Sequence, residues 1–167
     1  MTPARQERKS RRFRIVLAGV LGISTGFAGV AVGAATTEWV VVNRYTGLAI
    51  DGFDPVSYFI DGVPKQGSPE LELRADGATW RFRNEGNRAA FAAAPDVYAP
   101  RFGGHDPLAV ARGVATDGHP ALWLIVEKRL YLFYSADART AFSSDPDSAI
   151  AAAERNWASV RQTLVRN

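Results

Sequence analysis

The alternation of apolar and polar residues changes period several times along the chain. Residues 15–37, IVLAGVLGISTGFAGVAVGAATT, carry no charge and follow a basic segment. Residues 70–83, ELELRADGATWRFR, alternate strictly: Leu71, Leu73 and Ala75 point one way and Glu70, Glu72 and Arg74 the other. Beyond Asp76–Gly77, Trp80 and Phe82 alternate with Arg81 and Arg83, so the stretch predicts a β-hairpin with one buried face. ALWLIV and LYLFY are apolar on both faces, which predicts central strands joined by a tight turn at Glu127–Lys128–Arg129. A helix should follow each hairpin. Asn84 is placed to cap one that Pro95 stops, and Ser135 to cap one that ends before Asp145–Pro146. A last helix over 147–164 sets Ile150, Ala153, Trp157, Val160 and Leu164 on one stripe.

Two shorter helical turns are signalled by Asp–Pro pairs. An aspartate can accept the free N–H groups of a first helical turn, and proline suits the first helical position. Asp54–Pro55 therefore predicts a turn to Phe59. Asp106–Pro107 predicts a helix to Arg112, stopped by Gly113. Shifting the chain by 51 positions lays WRFRNEGNRAAFAAAPD over YLFYSADARTAFSSDPD, with Phe82/Phe133, Arg88/Arg139, Ala90/Ala141, Phe91/Phe142, Pro95/Pro146 and Asp96/Asp147 identical. The fold class expected is α+β: a small antiparallel sheet of hairpins with packed helices, in two strand–helix repeat units behind a hydrophobic leader.

Charge supports that division. Six Lys/Arg and one Glu fall in residues 1–14, a local +5 against +3 for the whole chain, so the remainder is −2. The basicity belongs to a leader, and a nucleic-acid partner is not expected. A basic segment before an apolar run fits an export signal cleaved near Ala34–Ala35. A run of 23 residues is also long enough for a membrane anchor, and the Gly22/Gly26 and Gly29/Gly33 spacings suit close helix approach. Either way the folded part is expected outside the cytoplasm, in the periplasm or held to the inner membrane through residues 15–37. The division expected is signal peptide or anchor over 1–35, an extended lead-in over 36–47 and the domain over 48–165. With no cysteine and a single methionine at position 1, disulfides, thiol catalysis, Fe–S clusters and Met-rich copper sites are excluded.

The blocks GFDPVSYFIDGVPKQGSPE, GATWRF, NRAAFAAAPDVYAPRFGG, LAVARG and RLYLFY resemble the YHS-domain family, in particular its exported bacterial single-domain members. The resemblance covers residues 45–160. It implies a small α+β domain with a proposed role in metal binding; some members are selenoproteins. In that group a tyrosine and then a cysteine or selenocysteine follow the two glycines. Here His105 and Asp106 stand at those positions.

The segment FGGHDPLAV can be read in two ways. As architecture, Gly103–Gly104 make a sharp turn, Asp106 caps the helix, and His105 is an exposed or half-packed residue before the cap. As chemistry, Asp106 sets a carboxylate where relatives keep sulfur or selenium, and His105 and His119 complete a His/Asp/His set with Asp117 in reserve. Such nitrogen and oxygen donors suit Zn²⁺, Cu²⁺ or Ni²⁺. His119, before Pro120, otherwise reads as a loop residue at the start of a strand. Asp51, Asp54 and Asp61 read as turn and cap residues. No nucleophile elbow, P-loop or dinucleotide fingerprint occurs, so no catalytic residues are expected. The functional expectation is a binding module with a divalent metal as candidate ligand. The alternatives are a structural or protein-interaction domain with a degenerate site and, behind it, a small oxidoreductase.

Overall fold

The structure is a computed structural model that describes residues 39–164. The leader expected over 1–35 lies outside the described residues, as do 36–38 and 165–167. Among the described residues no helix is long and apolar enough to cross a membrane.

The chain is α+β. A 3-10 turn (Ile50–Gly52) and helix α1 (Ser57–Ile60) precede strands β1 (Ser68–Ala75) and β2 (Ala78–Phe82), then α2 (Glu85–Ala93) and α3 (Pro95–Tyr98). The order then recurs: a 3-10 turn (Arg101–Gly104), α4 (Pro107–Ala111), β3 (His119–Val126), β4 (Arg129–Phe133), α5 (Ala136–Ser144) and α6 (Pro146–Gln162). The caps are those read from the sequence. Asn84 Oδ1 accepts the Asn87 N–H at 2.8 Å and Ser135 Oγ the Ala138 N–H at 3.1 Å.

Each hairpin is its own two-stranded antiparallel sheet, rather than part of one sheet. Both turns hold their two central residues at positive φ, Asp76 and Gly77 at 52° and 79°, Glu127 and Lys128 at 49° and 61°. That backbone matches the right-handed twist of the flanking strands. Both hairpins also slip register at equivalent places, between Ser68 and Glu72 and between His119 and Trp123.

The expectation that ALWLIV and LYLFY are central strands needs correcting: each strand has one hydrogen-bonded neighbour. Both faces of β4 are nonetheless buried. Leu130 and Leu132 enter a first core with Trp80, Phe82, Phe91 and Tyr58. Tyr131 and Phe133 enter a second with Phe102, Val110, Phe142 and Val160. The β3–β4 hairpin is thus a layer between two cores, and the absence of a polar face reflects packing on both sides. In β1–β2 only one face is buried, through Ala78, Trp80 and Phe82, and its sequence alternates accordingly.

Tyr58 ties the first repeat unit to β3 of the second. Its hydroxyl donates to the Pro120 carbonyl at 3.0 Å, and its ring meets Trp123 edge-on at 5.4 Å. Burial, reinforced by the Asp51 charge, raises the pKa of this phenol well above its usual value. Because the folded-state pKa is the higher one, the stabilisation is fully present below the unfolded pKa near 10 and is lost as pH rises beyond it. Urea unfolding of the full-length chain in mild detergent should therefore show stability falling above pH 10 by up to about 1.4 kcal/mol per pH unit for this one proton. Tyr58→Phe should flatten that slope while lowering stability at pH 7 by about 1 kcal/mol. An unchanged alkaline slope in the variant would show that Tyr58 does not control it.

Candidate functional site

The turn that carries His105 and Asp106 is built on glycine. Phe102, Gly103 and Gly104 all have positive φ, at 54°, 62° and 91°. A Cβ on Gly103 would fall 1.8 Å from the Trp39 carbonyl oxygen, so no side chain fits there. The Gly103 carbonyl in turn accepts the Val41 N–H at 2.8 Å, which holds the incoming chain against the turn.

Asp106 follows in extended conformation and is 2 % exposed. One carboxylate oxygen accepts the N–H groups of Leu108 and Ala109, at 2.8 and 3.1 Å, and caps α4. The other accepts the Tyr134 N–H at 2.9 Å, where β4 ends and α5 begins. A single side chain therefore joins the start of one helix to the end of a strand 28 residues later.

The same device occurs in the first half. Asp54 is fully buried; one oxygen accepts the Val56 N–H at 2.8 Å and the other the Arg83 N–H at 2.9 Å and the Asn87 side-chain amide at 2.6 Å. The surrounding backbone matches as well. The Asp54 N–H donates to Lys65 and the Asp106 N–H to Thr116, both at 2.8 Å. Gly67 donates to the Gly52 carbonyl and Gly118 to that of Gly104, both at 2.9 Å. Residues 50–52 and 102–104 share a run of positive φ. The repeat thus extends through G-F-D-P (52–55) and G-H-D-P (104–107). These blocks stand 52 positions apart, whereas the hairpins and caps stand 51 apart, so a single fixed shift does not align both.

That correspondence sets His105 opposite Phe53, each bridging antiparallel to the chain before its hairpin, Phe53 to Gln66 and His105 to Asp117. The expectation of an exposed or half-packed histidine is corrected: His105 has no exposed surface, and its ring centroid lies 6.1 Å from that of Trp157. It occupies a slot for an aromatic ring. Its Nδ1 lies 3.5 Å from Asp117 Oδ1.

His119 goes elsewhere. It opens β3, is exposed, and its Nδ1 accepts the Ala121 N–H at 3.1 Å. His105, Asp106 and His119 are not brought into one set. Among the described residues, no three His, Asp or Glu side chains come together around a point that could hold a metal ion. Asp117 and His119 instead line a hollow of about 280 Å³ with Asp51, Asn43 and Tyr134.

A larger recess was not read from the sequence. About 430 Å³ in volume, it is lined by Trp39, Trp157 and Phe102, by Arg101, Arg129 and Arg161, and by Asp76 and Asp96. Its side chains come from turns and helix ends far apart in sequence, so no local motif marks it. Comparison of the chain with models of known protein families, with curated proteins and with solved structures finds no match to any of them.

If Asp106 is chiefly a latch, Asp106→Ala should cost about 2–4 kcal/mol, because a cap is lost, the buried Ala109 N–H is orphaned and the bond to the part-buried Tyr134 N–H goes with it. His105→Phe should change stability by less than about 1.5 kcal/mol, since it restores the ring type of the equivalent slot. Urea unfolding checks both. A near-neutral Asp106→Ala would refute the latch.

Proposed function

We propose that this chain is an exported, YHS-like, non-catalytic binding module whose G-G-H-D-P turn is architectural and whose ligand contacts lie elsewhere on the domain. The exported placement rests on the basic segment and the apolar run over 15–37, with the leader either cleaved or kept as an inner-membrane tether. The YHS-like assignment rests on the sequence blocks of residues 45–160.

The observation that carries the reading is the repetition of the aspartate latch. Asp106 gives its carboxylate to three backbone N–H groups, and Asp54 uses the same position in the other unit with no histidine beside it. A feature that serves the same backbone junction twice is explained by folding. The oxygens that a metal would need at Asp106 are engaged with backbone donors, and displacing them would leave the buried Ala109 N–H without a partner, at a cost of about 1–3 kcal/mol, and free two part-buried N–H groups.

A binding role suits the rest of the domain. Its buried carboxylates accept hydrogen bonds from fixed donors. The position at which the YHS-like pattern carries sulfur or selenium here carries a capping carboxylate.

Calorimetric titration of the full-length chain in detergent with Zn²⁺ and Cu²⁺ tests the proposal. The expected result is no micromolar binding that His105→Ala removes. Micromolar binding abolished by His105→Ala, with the fold retained by circular dichroism, would restore the metal reading and overturn this one.

A further inference from the structure

We propose that the recess lined by Trp39, Trp157, Arg129 and Arg161 binds a small organic monoanion with an aromatic ring, an aromatic carboxylate being the simplest member of the class. The inference rests on the binding-module reading and names its ligand.

The recess has about 430 Å³ of space, within the usual range for small-molecule pockets. It lies where the two repeat units meet: Asp76, Trp80 and Asp96 come from the first, and Arg129, Trp157 and Arg161 from the second. Its three arginines are not equivalent. Arg101 is ion-paired with Glu154 and lies over the Phe102 ring at 5.5 Å. Arg129 gives one N–H to the backbone carbonyl of Asp96, and among the described residues it has no carboxylate within ion-pair distance. Arg161 lies over the Trp39 ring, its Cζ 3.7 Å from the centroid, and it too lacks a carboxylate partner among the described residues.

A guanidinium stacked on an indole is held in place while its N–H edge stays available. That planar fork matches a carboxylate with two parallel hydrogen bonds. Among the described residues neither cation is ion-paired, so both guanidinium edges can take an outside carboxylate. The neighbouring surface is aromatic: Trp39 and Trp157 are half-buried, and the Trp157 ring already meets Phe102 edge-on at 5.6 Å. A second ring can be received on the same terms.

The acidic residues set the charge of the ligand. Asp76 and Asp96 line the recess and take part in no ion pair among the described residues; with Arg101 neutralised by Glu154, two arginines and two carboxylates share the space, so the wall carries negative as well as positive charge. A monocarboxylate is favoured there, whereas a dianion such as a phosphate monoester meets like charge on the wall.

The test uses the full-length chain in mild detergent, with 2-naphthoate as probe, 2-naphthamide as its neutral counterpart and 2-naphthyl phosphate as the dianion. Calorimetry should give saturable naphthoate binding with Kd below a millimolar, and at least tenfold weaker binding of the other two. Arg129→Gln and Arg161→Gln should each weaken naphthoate about tenfold or more, with circular dichroism unchanged, since each removes one arm of a charge-assisted pair. If Arg161→Gln disturbs folding by unstacking Trp39, Arg129→Gln decides alone. Absence of saturable naphthoate binding overturns the proposal, as does equal affinity for the amide or indifference to both substitutions. Failure here, with the chain inert toward Zn²⁺ and Cu²⁺, removes only this recess. Micromolar metal binding lost in His105→Ala removes the underlying reading whatever naphthoate does.

Discussion

The buried aspartate that spans a helix start and a strand end is the constraint from which the rest of the domain follows. A carboxylate withdrawn from water must have its oxygens met by donors, and here most of the donors are backbone N–H groups fixed by secondary structure. Asp106 reaches Leu108 and Ala109 on one side and Tyr134 on the other. The geometry works only if the 3-10 turn, the short helix and the hairpin end are all in place together. Asp54 imposes the same condition on its own unit. Glycine is also required where the chain runs closest to the hairpin. Gly67 and Gly118 occupy such points: a Cβ on either would come within 2.6 Å of the opposing strand.

Once the latches fix each unit, the relation between units is governed by β4. Its residues alternate between two cores, Leu130 and Leu132 into one, Tyr131 and Phe133 into the other. No corresponding strand in the first unit does this, since β2 keeps Thr79 and Arg81 half-exposed on its outer side. The two units are repeats in backbone but differ in burial: the second hairpin is the partition and the first is a wall. Tyr58 reinforces the partition by crossing to Pro120 with a buried hydrogen bond.

Much of this could be read from polarity alone. Asn84 and Ser135 announced their helices, and Trp80 and Phe82 their buried face, because both signals are local: a side chain and a backbone three residues away, or a period of two. What failed was what depends on a distant partner. An all-apolar strand looks the same whether neighbouring strands or two cores cover it, so β3 and β4 were expected within a larger sheet. His105 was expected near the surface because histidine before a cap usually is; its burial depends on Trp157, 52 residues later in α6. The latch was half legible. The N-cap is written in Asp106–Pro107, but the bond to Tyr134 depends on hairpin length, and the one-residue difference between the two repeat offsets concealed the match of the G-x-D-P blocks.

Where the repeat breaks down is where individuality enters. The first unit closes with α3, which ends at Tyr98, whereas its counterpart α6 runs on to Gln162. Trp157 and Arg161 lie on that extension and have no equivalent in the first unit. Arg129 faces the same space from the start of β4, where β2 begins with a buried alanine, Ala78. The latch residues recur in both halves, whereas Arg129, Trp157 and Arg161 beside the recess have no counterpart in the first. Trp157 packs on Phe102 and His105, so it serves the second core as well as the recess. At the G-G-H-D-P turn the contacts of Asp106 are reproduced at Asp54 or follow from capping, whereas the approach of His105 Nδ1 to Asp117 has no counterpart at Phe53.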